Sequence, residues 1–178
     1  MAPTTHTTTR IATRFDLGEF RDGTAATYWL VALRLITGWW FLQAGVTKLL
    51  APEPFAAGGW LANATGASPI HGLFVWVTNT PWLLAFTDVA IPVGETLIGL
   101  GLIVGALVRL AAFFGGVLMV LFYLGNADWA HGYVNGDLLG LVAFITIGTV
   151  AAGRVLGVDA LLIERFGLRK DGLLRFLL

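Results

Sequence analysis

Four residues able to hold or move a proton stand where nearly every neighbour is apolar: Arg34, Lys48, Asp88 and Glu95. A charge among hydrocarbon is costly and normally faces an opposite charge, a cavity or a ligand. Helical arithmetic places Arg34, Gly38, Phe41, Gly45 and Lys48 on one narrow stripe, and Asp88, Glu95 and Gly99 on another. One stripe is basic and the other acidic. Two chemistries suit that opposition. The charges can form buried ion pairs that hold two helices in register. They can also line a polar pocket in which a carboxyl exchanges protons while a cation orients it.

Depth then suggests partners. If the two helices run antiparallel, Arg34 lies about 21 Å below Lys48, and Glu95 about 10 Å below Asp88, at 1.5 Å rise per residue. The expected pairs are Lys48 with Asp88 and, deeper, Arg34 with Glu95. Gly45 and Gly99 leave space beside the charges for a ligand ring, or else permit tight helix packing. Pro92 removes one helical hydrogen bond close to Glu95. Glu95 and Arg34 are the candidate catalytic residues. Arg34, Gln43, Gly45, Lys48, Asp88 and Glu95 are the candidate binding set, between the first two long apolar segments.

The elements that must carry these residues are membrane spans. Of 178 residues, 57% are hydrophobic and 12% charged, with eleven basic against eleven acidic side chains. The charged share is about half that of a soluble domain, and nothing provides the basic surface of a nucleic-acid binder. Four apolar stretches approach the roughly 20 residues that cross a bilayer core. They run over about 27–50, 82–108, 110–125 and 137–155. The segment 138–152 has no charge on any face, whereas a soluble helix needs a polar one. The expected fold is an all-α membrane protein, a four-transmembrane-helix bundle over 25–157. An outer loop, 51–81, is expected to be partly helical, with a short helix over 70–78 serving as a lid.

Orientation follows the basic residues. Arg10, Arg14 and Arg21 precede the first span, Arg109 joins the second and third, and Arg154 to Arg175 close the chain; 51–81 and 126–136 contain no Lys or Arg. The positive-inside rule puts both termini in the cytoplasm of a cell-membrane protein. Residues 1–24 read as a polar cytoplasmic tail, and 158–178 as an amphipathic segment on the cytoplasmic surface. Trp60, Trp76, Trp82 and Trp129 read as an interfacial aromatic belt.

There is no cysteine, which excludes thiol chemistry and iron–sulfur ligation by this chain. No span has a histidine in its middle, so no haem is expected within it. His71 and His131 share the outer side, but two histidines in separate loops are a weak metal signal, and no metal is assigned.

The motifs resemble those of the DoxX/DoxD family. Arg34-Leu-Ile-Thr-Gly38 followed by Gln43-Ala-Gly45-Val-Thr-Lys48-Leu49 resembles that family's first span, with Gln43 where many members have histidine. Gly94-Glu95 and the spaced Gly99 and Gly105 resemble its second span. Val108-Arg109-Leu110-Ala111-Ala112 resembles its short connection, and Gly157-Val158-Asp159 the G-x-D after its last span. The resemblance spans about residues 28–160 and implies a four-helix membrane bundle. It groups Arg34, Lys48, Glu95, Arg109 and Asp159 as motif positions. One branch of the family is the small membrane subunit of thiosulfate:quinone oxidoreductase. The implied function is therefore a membrane subunit of a quinone-linked oxidoreductase, binding quinone or lipid while a partner supplies electrons. The alternative is a non-catalytic anchor or assembly subunit; a small transporter fits least, since no inverted repeat is visible. Expected partners are membrane lipid and another protein subunit or further copies of the chain.

Overall fold

The computed structural model describes residues 24–127, 129, 132–150 and 157–159. Among them there are helices and no strand. Helix α1 is Thr24–Leu49, α2 His71–Thr78, α3 Pro81–Val104, α4 Val108–Asn126 and α5 Gly136–Val150; a π-helical turn covers Trp60–Ala64. Three helices are long and apolar enough to cross a membrane: Ala26–Leu49 within α1, α3 and α4. The 15 described residues of α5 are as apolar, but they span about 22 Å at 1.5 Å per residue, short of a bilayer core of about 30 Å. The remainder of the expected fourth span, the tail before residue 24 and the amphipathic segment beyond Asp159 lie outside the described residues.

The second span ends four residues, and the third begins two residues, earlier than the hydropathy suggested. Helix α3 ends at Val104 because Gly105 adopts a left-handed conformation, φ 74°, and its N–H closes back on the Gly101 carbonyl. Leu107 is also left-handed, φ 52°, an uncommon conformation for a branched side chain. It persists because a carboxylate from far along the chain holds it: Asp159 Oδ1 accepts the Leu107 N–H at 2.8 Å and Oδ2 the Val108 N–H at 3.0 Å. Those amides open α4 and have no partner within the helix, so the fully buried Asp159 acts as its cap from outside. The Asp159 N–H in turn donates to the Gly105 carbonyl at 2.9 Å.

Helix α1 packs along α3 and α4 along α5, with α3 on α4 and α1 on α5 closing the arrangement. The main core joins Phe41, Ile98, Leu102, Val108, Met119 and Phe144. Glycines set its closest contacts. The Phe144 ring lies where a β-carbon at Gly115 would be, and Trp40 and Met119 close over Gly140.

The connection between α1 and α3 is a folded cap with its own small core of Ala57, Leu61 and Phe74, backed by Leu84 and Ile91 of α3. The short helix expected there is present as α2. Trp60 is half-buried against the helices: its ring rests on Gly125, 6.0 Å from the Phe122 ring centre. Its Nε1 donates to Asn126 Oδ1 at 3.2 Å, and Asn126 Nδ2 donates to Asp137 Oδ2 at 2.8 Å. Cap, α4 and α5 are thereby joined. Trp76 and Trp82 do face outward, at 55% and 70% exposure.

A candidate site at the capped end of the first two long helices

The seam between α1 and α3 is closed along the middle of both helices. A β-carbon at Gly99 would sit on the Leu42 backbone, and one at Gly45 would collide with the Thr96 hydroxyl and lie 2.7 Å from the Pro92 carbonyl. Gly38 rests against Leu102, Ile103 and the Gly99 carbonyl. The space expected for a ligand ring beside Gly45 and Gly99 is therefore filled by helix backbone. Here the packing role of the glycines holds and the pocket role does not.

These contacts fix which charges meet. Gly38 faces Gly99 to Ile103, and Gly45 faces Pro92 to Thr96, so Arg34 comes level with Gly105. Gly105 lies about 15 Å along α3 from Glu95, from ten residues at 1.5 Å. The expected pairing of Arg34 with Glu95 is not formed. Instead Lys48 Nζ donates to Glu95 Oε2 at 2.5 Å. The Glu95 side chain is 4% exposed and that of Lys48 29%, so the carboxylate is enclosed while the cation reaches the edge of the seam. The Phe55 ring of the cap lies over the ammonium, its centre 5.7 Å away.

Asp88 does not bind Lys48. Its Oδ1 accepts the Ala57 N–H at 2.7 Å, which ties the buried start of the cap to α3. Arg34 is buried at the opposite end of the seam. Its guanidinium lies beside Gly105 and interacts electrostatically with Asp159. Gln43 is exposed on the outward side of α1 and does not contribute to the seam.

One sequence signal would have corrected the pairing. In a helix the Cα–Cβ bond tilts toward the N-terminus. Lys48 therefore leans from the cap down into the seam, and Glu95, on an antiparallel helix, leans up toward the cap. Arg34 leans away from Glu95, and Asp88 leans up to the cap backbone. Helical angles also separate Gln43 from Gly45 by about 160°, at 100° per residue. Phe55 and Asp159 had no role assigned in the candidate site; the Asp159 contact joins residues 51 apart and is invisible to local pattern.

The other candidate features fall elsewhere. His71 Nδ1 shares a 3.0 Å hydrogen bond with the buried Thr65 hydroxyl inside the cap, and His131 lies outside the described residues. Two apolar grooves flank α4. One, of about 890 Å³, runs between α4 and α5 past Phe113, Gly116, Leu141 and Ile145, with Arg109 at one end. The other, of about 630 Å³, runs between α3 and α4 past Gly94, Leu97, Gly101 and Phe114. Both have the apolar walls that suit lipid chains.

A buried Lys–Glu pair on glycine-packed helices, closed by a cap, is thus carried by the segment from α1 to the end of α4. The DoxX family model matches residues 29–126, the same segment. The chain belongs to the DoxX family. No solved structure matches it. Within this DoxX-family chain, the Lys48–Glu95 pair, the Asp88 tether and the glycine seam all lie inside the matched region. Asp159, which the motif resemblance groups with Arg34, Lys48, Glu95 and Arg109, lies beyond it.

Proposed function

We propose that this DoxX-family chain is an integral membrane subunit of a quinone-linked oxidoreductase complex, with four spans in the cell membrane and both termini cytoplasmic. The observation that carries the reading is the Lys48–Glu95 pair. It is enclosed on the Glu95 side and reachable on the Lys48 side, under the Phe55 ring. A quinone supplies two-electron chemistry coupled to proton uptake and release. The chain's part is to donate from the Lys48 ammonium to a carbonyl oxygen brought to the edge of the seam, and to hold a proton acceptor, Glu95, behind it. The surrounding apolar walls strengthen both interactions by excluding water. The ring belongs at the Lys48 edge beside Phe55, because the seam at Gly45 and Gly99 is filled. Arg34 and Asp88 act by position, at the far end of the seam and on the cap. Without a cysteine in the chain, electrons come from a partner subunit or a cofactor it brings.

The test is solvent extraction of the gently purified full chain, with quinone measured per mole of protein. A near-stoichiometric content in the wild type, reduced at least fivefold in Glu95→Gln with the fold intact, supports the reading. No quinone in the wild type, and no change in quinone reduction by the native complex when Glu95 is Gln, leaves the second reading. That reading is a non-catalytic anchor or assembly subunit, favoured by the filled seam.

A further inference from the structure

Gln43 poses a problem that the described residues do not solve. It sits about 8 Å from the middle of the membrane-crossing part of α1, counting 1.5 Å per residue from the centre of Ala26–Leu49. A bilayer core extends about 15 Å from its middle, so the Gln43 amide is at hydrocarbon depth. It is exposed and makes no hydrogen bond among the described residues. A primary amide has two donor hydrogens and two acceptor lone pairs, and hydrocarbon satisfies none of them.

Its neighbours on the same face form a seam with coiled-coil spacing. Trp29, Ile36, Gln43 and Leu50 recur every seven residues and are all exposed, at 76%, 69% and 79% for the three apolar members. Trp39 adds a 61% exposed ring beside them. This row lies opposite the face of Arg34, Phe41 and Gly45 that packs on α3. A heptad row with one polar position is the pattern that sets register between two helices while apolar neighbours supply the packing.

We infer that this face of α1 is the interface of a parallel, two-fold homodimer in which the Gln43 amides of the two copies hydrogen-bond to each other. The occupant follows from symmetry. Every copy inserts in the same direction, so a second copy is certain to present an amide at the same depth. A two-fold axis along the membrane normal brings each such residue against its own counterpart. Lipid chains offer the amide nothing. Interhelical amide contacts in membranes are worth enough to shift association about threefold to tenfold. The inference is independent of the quinone reading, since Gln43 faces away from the Lys48–Glu95 seam.

The absence of cysteine makes the test direct. Single cysteines placed at Ile36, Trp39, Leu42, Gln43, Val46 and Leu50 in the full chain, in native membranes, are oxidised and scored for disulfide-linked dimers. Cross-linking should peak at 36, 43 and 50 and be lowest at 42. In nanodiscs or mild detergent, Gln43→Leu should weaken dimerisation about threefold to tenfold, and Gln43→Asn should weaken it less. Peaks on another helix or with no sevenfold phase would overturn the proposal. So would a monomeric wild-type chain, or Gln43 cross-linking to a different polypeptide instead of to its own copy.

Discussion

Lys48 and Glu95 meet at 2.5 Å across the seam of α1 and α3, at the level where Gly45 lies against Thr96. The contact depends on backbone proximity that only glycine permits, and it leaves Glu95 enclosed with a single charged partner. Removing one member strands the other. Lys48→Ala or Glu95→Ala should each cost about 3–5 kcal/mol, the typical loss when a buried pair is broken. Lys48→Met with Glu95→Leu should cost less than either, measured by reversible unfolding in micelles. Additive losses across that double-mutant cycle would show that the two residues do not act as a pair.

Gly99 offers a test of the seam. A β-carbon there falls on the Leu42 backbone, whereas one at Gly94, five residues away on another face, meets nothing within 4 Å. Gly99→Ala should destabilise by about 1–3 kcal/mol, as overpacking does, and Gly94→Ala should stay within about 0.5 kcal/mol of the wild type. Equal melting shifts for the two would mean that the helices are not so closely apposed.

Asp159 holds the start of α4 through two amides. Asp159→Ala should cost about 0.5–2 kcal/mol, the range of a lost cap. Hydrogen exchange should rise first at Leu107 and Val108. Asp159→Asn keeps one acceptor and should lose less. Unchanged exchange at those two amides would remove the capping role.

The cap depends on Asp88, whose carboxylate receives the Ala57 N–H. A lost hydrogen bond to a charged group is worth about 1.5–3 kcal/mol, less where solvent reaches it. Asp88→Ala should therefore loosen residues 51–58 without unfolding α3. A single cysteine at Ala57, 1% exposed in the wild type, should react with maleimide at least tenfold faster in the Asp88→Ala background. An unchanged rate would show that apolar packing alone holds the cap.

The long apolar runs determined by themselves that this chain folds as membrane helices, because hydrocarbon requires each backbone group to bond within its own segment. Angular position along α1 and α3 also determined that one face of each is charged and opposite in sign. The motif order around Arg34, Lys48 and Gly94-Glu95 was enough to point to the family. What neither periodicity nor depth could decide was register. Two antiparallel helices with charges at several levels admit several pairings, and the choice fell to where Gly38, Gly45 and Gly99 let the backbones touch. That choice paired Glu95 with Lys48, sent Asp88 to the cap and left Arg34 at the Asp159 end. It also filled the space that a ring would have needed. Close packing is a property of two surfaces together, so no single segment of sequence contained it.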